Sequence, residues 1–421
     1  MAEGPVPVKV GRYRWLICGL LLAAMIVNYV DRQMLGILKP TLSRDMGWTD
    51  GQFADVIFWF QGCYALCYLA WGGIVDRVGA RIGFGAAFLI WQLAHAATGL
   101  ARGLTGFALA RMALGVGEAG AFPGALKVVA EWFPKRERAL ATGVFNAGTN
   151  IGAIVTPLAV PALVLSVGWQ AAFVIIGLAG LVWLPVWLIV YRPPREQKRL
   201  GAAELAYIEQ DPPDPVERVP WRTLIGRRET WAYALGKCLT DPVWSMFLYW
   251  LPDFFGKRHG LDLKSFGPPL VVIYLMSDAG SVGGGWLSSR LLKAGWSLNR
   301  ARKTALLACA LCALPVALAA NIDSLWVVVL ILGVATAAHQ GFSANLYTLA
   351  SDVFPRSAVG SVVGIGGMLG AVGSMAMTKY AGWVLDKAGS YAPIFVVASS
   401  AYLLALAVIH LLTPRMKAVE L

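Results

Sequence analysis

Charge is scarce in this sequence. Asp, Glu, Lys and Arg together make up 14% of 421 residues, where a soluble globular chain carries about a quarter. A water-facing surface therefore cannot cover most of the molecule. Histidine is rarer still: four residues scattered along the chain, with no pair at the short spacing of a zinc site. The six cysteines (Cys18, Cys63, Cys67, Cys238, Cys309 and Cys312) all fall inside apolar stretches, where a thiol packs as a small hydrophobe. Cys309 and Cys312 have the spacing of a redox pair, but no charged neighbour that would hold a thiolate. A phosphate-cradling loop is also missing. Gly364-Ile365-Gly366-Gly367 is glycine-rich, yet no strand precedes it and it lacks the lysine and hydroxyl residue that grip phosphate; it reads as a packing seam. These gaps argue against nucleotide, metal and covalent catalysis. The net charge of +12 could suggest nucleic acid, but no basic soluble domain exists to carry that function.

What the chain has instead is apolar length. Hydrophobic residues make up 57% of it and come in long blocks rather than stripes or alternations. A helix needs roughly 20 residues to cross the hydrocarbon core, and in lipid every peptide group must be satisfied within the segment. By that measure there are twelve spans, near 14–38, 52–75, 82–101, 105–130, 139–165, 170–191, 230–255, 267–290, 303–321, 325–349, 358–385 and 391–413. The first block follows Lys9, Arg12 and Arg14 as a signal peptide would, but it runs past twenty residues and lacks a small-residue cleavage site, so it reads as a retained helix. With both termini in the cytoplasm, 21 Lys/Arg fall in inner segments, 7 in outer ones and 8 within spans. That asymmetry sets the expected orientation.

The inner segment 192–229 carries Pro193, Pro194, Pro212, Pro213 and Pro215 among eight basic residues, and reads as a linker between six-helix units at 1–191 and 230–421. The units echo each other. Glu131-Trp132-Phe133-Pro134-Lys135 follows the fourth span, and Asp352-Val353-Phe354-Pro355-Arg356 follows the tenth; Gly72-Gly73 matches Gly284-Gly285. The offsets, 221 and 212 residues, are close enough to indicate a duplicated unit. Such an all-α integral membrane protein, two six-helix bundles around a central cavity, has the architecture of transporters that bind substrate near mid-membrane.

Charge inside the spans carries the chemistry, because an ion at the bilayer centre costs about 3 kcal/mol or more and is rarely kept without a use. The first span contains Asn28-Tyr29-Val30-Asp31-Arg32, and the fourth contains Arg111 and Glu118. Seven residues are nearly two helical turns, so Arg111 and Glu118 share a face about 10 Å apart. Two arginines and two carboxylates would meet if both spans line the cavity. They are either structural ion pairs holding the two spans together, or an anion site whose carboxylates take up and release protons. Gln340, Ser343 and Tyr347 share one face of the tenth span, and Asn146 and Asn150 one face of the fifth; a hydroxyl-rich ligand would suit these side chains. His339 is a structural residue or a third proton carrier. Lys237 and Asp241, one turn apart, form an internal ion pair or greet an anion.

The stretch Gly72-Gly73-Ile74-Val75-Asp76-Arg77-Val78-Gly79-Ala80-Arg81 resembles the loop signature of the major facilitator superfamily, with Asp76, Arg77 and Arg81 as gating residues; in the second half the aspartate position reads Ser288. Tyr29-Val30-Asp31-Arg32, Arg111 through Glu118-Ala119, Glu131-Trp132-Phe133-Pro134, and His339-Gln340 with Ser351-Asp352-Val353-Phe354 resemble the anion:cation symporter family, most closely its bacterial hexuronate transporters. The resemblance implies a proton-driven importer of sugar acids such as glucuronate or galacturonate, in a bacterial inner membrane. It implies Asp31 and Glu118 as protonation sites, Arg32 and Arg111 as carboxylate contacts, and Tyr29 and Tyr64 as further substrate contacts. Partners would be the acid, protons and lipid, with no cofactor beyond the proton gradient, no nucleic acid, and a monomeric state. Alternatives are another organic anion (galactonate, glucarate, an aromatic or dicarboxylic acid) or a sugar-acid sensor that transports nothing.

Overall fold

The computed structural model describes residues 10–211, 219–417 and 419. Lys9, Pro212, Pro213 and Pro215, named above, lie outside them, as does the side chain of Arg356. Among the described residues every regular element is a helix, as a chain solvated by lipid requires. Ten helices among the described residues are long and apolar enough to cross a membrane: Tyr13–Ile37, Asp50–Val78, Ala80–Leu100, Lys135–Val167, Trp169–Val190, Gly267–Lys293, Leu298–Asn321, Leu325–Val353, Ala358–Ala388 and Ala392–Leu412.

Two more complete the expected twelve, and each departs from a uniform apolar rod for a visible reason. The seventh span, Arg228–His259, carries Lys237, Asp241 and Asp253 along its length. The fourth is broken into Gly103–Glu118 and Ala121–Trp132. At the break the Trp71 indole donates to the Val116 carbonyl at 2.6 Å. That carbonyl would otherwise accept from Gly120, whose N–H turns to Gly117 O at 3.0 Å. A side chain inserted into the ladder is a sufficient cause of a kink.

The duplication read from sequence recurs as packing. Span 1 packs on 5, 2 on 4 and 3 on 6; adding six to each number gives the pairs of the other half, 7 on 11, 8 on 10 and 9 on 12. Small residues allow these approaches. A Cβ on Gly148 would lie 2.4 Å from Leu22 O on span 1, and one on Gly284 would lie 2.4 Å from Gly341 Cα on span 10. Asn345 seals the second contact by donating to Gly284 O and Gly341 O, both at 2.9 Å. The segment after span 6 is more than a strap. Its helix Ala202–Ile208 is held to the first half by Glu204, which accepts from the Tyr13 and Arg14 main-chain N–H groups at 3.1 Å each and from Arg14 Nη1 at 3.0 Å.

Across the halves, span 2 meets 11, 5 meets 8 and 1 meets 7. At the end away from the termini a charged clasp joins them. Lys39, following span 1, pairs with Asp50 and, at 2.7 Å, with Asp253 of span 7. Lys257 bridges the same two carboxylates at 2.8 and 3.1 Å. Tyr391 donates to Asp253 at 2.5 Å, Lys379 pairs with Asp55, and Asp386 accepts from the first N–H groups of span 2, at Asp50 and Gly51, both at 2.9 Å. Toward the termini a Cβ on Gly364 of span 11 would still meet Leu69 of span 2, at 4.0 Å, whereas Gly72, Gly73 and Gly360, nearer the termini, meet nothing within 4 Å. The halves are thus clasped at one end and part toward the other.

Candidate functional site

Successive residues on a helix point about 100° apart, and this separates Asp31 from Arg32. Arg32 turns toward the junction of the halves. Its Nη2 and Nε donate to Glu118 Oε2 at 2.6 and 2.9 Å, and its guanidinium lies 5.5, 5.5 and 5.0 Å from the rings of Tyr29, Phe60 and Tyr64. The Arg32 side chain is 18% exposed while that of Glu118 is fully covered. Asp31 turns the other way, into its own bundle. Gln92 of span 3 donates to Asp31 Oδ2 at 2.6 Å, and His95 Nδ1 stands 3.4 Å from Oδ1.

Arg111 is buried between these groups. It donates through Nη1 to the main-chain O of Asp31 at 3.2 Å and lies 5.3 Å from the Phe173 ring. The four charges therefore assemble into one cluster but not into two symmetrical pairs: Arg32 holds Glu118, while Arg111 holds the backbone. Arg111 Nε and Nη2 and Glu118 Oε1 are buried with no hydrogen-bond partner. Unmet polar capacity of this kind is uncommon, and a carboxylate ligand supplies the acceptors the arginine lacks.

The other candidates fall into three groups. Tyr64, Gln340 and Asn150 are half-buried, Asn146 and Tyr347 are exposed, and Ser343 is buried. Tyr347 accepts from Lys237 at 3.2 Å. His339 is packed away: it stacks on Trp244 with centroids 5.3 Å apart and shares a hydrogen bond with the Tyr402 hydroxyl at 3.0 Å. At the termini-bearing end Asp76 bonds Lys127 of span 4 at 3.1 Å, Arg81 donates to Leu188 O at 2.5 Å, and Arg77 is exposed. In the second half Ser288 accepts from Arg302 at 2.8 Å, and Arg302 also holds Asp352 at 2.9 Å, so the serine is served by a different contact.

Sequence reasoning missed Gln92 and His95, which have no charge pattern of their own and are defined by Asp31. It missed the clasp as well, because Lys39, Asp50, Asp253 and Lys257 stand near helix ends, where charges are ordinary. Among the described residues no group of three metal-ligating side chains comes together.

The comparisons with known proteins agree with this architecture. The chain is 30% identical over 418 residues to the hexuronate transporter of Escherichia coli K12, covering 98% of this chain and 96% of that one. It is 32% identical over 284 residues to the galacturonate transporter of Dickeya chrysanthemi, covering 66% of this chain and 82% of the relative. Among solved structures, an inward-facing, occupied bacterial homologue of the human lysosomal transporter Spinster superposes with a TM-score of 0.75 at 18% identity, over 96% of this chain and 98% of that one. The model of the Major Facilitator Superfamily matches residues 21–378, and the chain belongs to that family of membrane transporters.

Proposed function

We propose that this protein is a proton-coupled symporter that imports anionic sugar acids, with hexuronates such as glucuronate and galacturonate as its substrates. The observation that carries the proposal is the Arg32–Glu118 pair. A cation is held at membrane depth by a carboxylate of its own bundle, beside the tyrosines at the junction of the halves. An entering carboxylate competes with Glu118 for Arg32, and Glu118, once released, is the natural acceptor of a proton. Arg111 offers two further unpartnered N–H groups next to the pair. Asp31, with Gln92 and His95, is the second protonation site, set one layer deeper.

The units 1–191 and 230–421, linked by the segment 192–229, rock against each other, and the charged clasp closes the periplasmic side while the cytoplasmic side opens. A bacterial inner membrane, cytoplasmic termini and a monomeric state complete the proposal. The names of the relatives support the substrate class, since hexuronate, galacturonate and D-galactonate transporters all match over most of the chain. A thermal-shift series on the purified protein tests it. Galacturonate and glucuronate should raise the melting temperature in proportion to the logarithm of concentration, while galactose and glucose, which lack the carboxylate, should not. Equal shifts from the neutral sugars would remove the arginines from recognition.

A further inference from the structure

A second ion pair lies at membrane depth in the other half. On span 7 Lys237 Nζ sits 2.8 Å from Asp241 Oδ1, donates to the Tyr347 hydroxyl at 3.2 Å and lies 4.6 Å from the Tyr347 ring. Lys237 itself is buried, but the Asp241 side chain is 24% exposed and Tyr347 45%, so the pair fronts accessible space through its partners. Tyr233 packs beside Tyr347, with centroids 6.3 Å apart, and its hydroxyl is buried without a partner. From the first half, Tyr68 reaches span 11 beside Tyr233: a Cβ on Gly367 would stand 3.8 Å from the Tyr68 ring, and one on the adjacent Gly366 would meet the Tyr233 ring. The Tyr68 ring is 5.7 Å from that of Tyr64, which borders Arg32. Tyrosines thus line the way from Arg32 in one half to Lys237 in the other.

The backbone depths of Arg32 and Lys237 on their helices follow from packing. Spans 1 and 7 run in the same direction, and Gly36 packs on the backbone of Leu248 and Tyr249, which sets Arg32 level with position 244 or 245. Lys237 lies seven or eight residues nearer the termini, roughly 11 Å along the axis at 1.5 Å per residue. Six carbons in an extended chain reach about 6 Å. With a charge-assisted hydrogen bond of about 2.8 Å at each end, such a ligand bridges roughly 12 Å.

We infer that Lys237 is a second anion-binding position, and that the ligands of this protein include six-carbon sugar diacids held by Arg32 at one carboxylate and by Lys237 at the other. The inference rests on the sugar-acid function proposed above and extends it to a second charged end. A hexuronate has one carboxylate; its far end is a neutral hydroxyl that Tyr347 and Tyr233 can meet without Lys237. Each half then uses the same device. A cation is stored on a carboxylate of its own helix bundle, Glu118 for Arg32 and Asp241 for Lys237, until a ligand carboxylate displaces it.

The test is calorimetric binding of galactarate, a diacid, and galacturonate, a monoacid, to the purified full chain, read as the ratio of their affinities. Lys237→Gln should lower the galactarate preference about tenfold, the effect of losing one charge-assisted hydrogen bond, and leave galacturonate within about twofold. Lys237→Arg should restore most of the preference. Asp241→Asn, which frees Lys237, should move the ratio toward galactarate. An unchanged ratio in the variants, whether or not they bind more weakly overall, overturns the inference. Wild-type protein that binds galacturonate but not galactarate overturns it too, and leaves the sugar-acid function standing. Wild-type protein that binds neither acid removes that function itself.

Discussion

Replacing Glu118 with Gln should separate binding from proton coupling. Glu118 Oε2, on a side chain fully covered by protein, accepts two hydrogen bonds from Arg32, at 2.6 and 2.9 Å. Bonds to a charged acceptor contribute about 1.5–3 kcal/mol each, and bonds to a neutral one about 0.5–1.5. Gln fits the same space and keeps one acceptor, so the substitution loosens the hold on Arg32 by roughly 2 kcal/mol, or about thirtyfold in a binding constant. In the wild type, sugar-acid affinity should fall as pH rises, because ionised Glu118 reclaims Arg32. In Glu118→Gln it should be higher at alkaline pH and nearly flat across pH. Galacturonate binding by calorimetry from pH 5.5 to 8.5, paired with gradient-driven uptake and counterflow exchange, provides the assay. Exchange should survive while uptake against a gradient fails. A variant with the wild-type pH dependence, or one that loses binding, exchange and uptake equally, would refute the coupling role and make Glu118 a structural counter-ion.

Arg111→Ala should abolish galacturonate binding in the same calorimeter, and Arg111→Lys, which keeps the charge but not the planar fork, should weaken it about tenfold or more; unchanged affinity in either would remove Arg111 from the site. Lys39→Ala combined with Lys257→Ala removes both cations that bridge Asp50 and Asp253, and labelling of a cysteine placed at Ala54, buried against Gly382 across the halves, by a membrane-impermeant maleimide should rise severalfold. No rise would mean that the clasp does not hold that side shut. Gly148→Leu should lower the melting temperature sharply, since its Cβ would stand 2.4 Å from Leu22 O, whereas Gly143→Leu, which meets open space, should leave it nearly unchanged.

The spans were legible because lipid imposes one rule on every segment, and Asp31, Arg32, Arg111 and Glu118 stood out as charges that rule disfavours. Three things were not legible. The pairing within the cluster depended on helix rotation, which turns Asp31 toward Gln92 and His95 and leaves Arg32 with Glu118; sequence spacing placed Arg111 and Glu118 on one face but could not say which group each would meet. The break in the fourth span is set at Ala119 and Gly120 by Trp71, a residue on another helix; Gly117, Gly120 and Pro123 stand beside it in the sequence, but glycines are common in membrane spans for packing reasons and did not single it out. The clasp needed both halves in place, because Lys39 and Asp253 are more than two hundred residues apart and each alone is an ordinary helix-end charge.

In the proposed mechanism a carboxylic sugar and a proton compete for the same buried groups, so that one moves with the other. Its most direct measurement is uptake of labelled galacturonate into proteoliposomes with an imposed inward proton gradient. The sugar acid should accumulate above its external concentration, collapse to equilibrium on addition of a protonophore, and carry measurable proton influx when the sugar gradient alone drives transport. Accumulation that persists with the protonophore, or sugar movement without proton movement, would contradict the account.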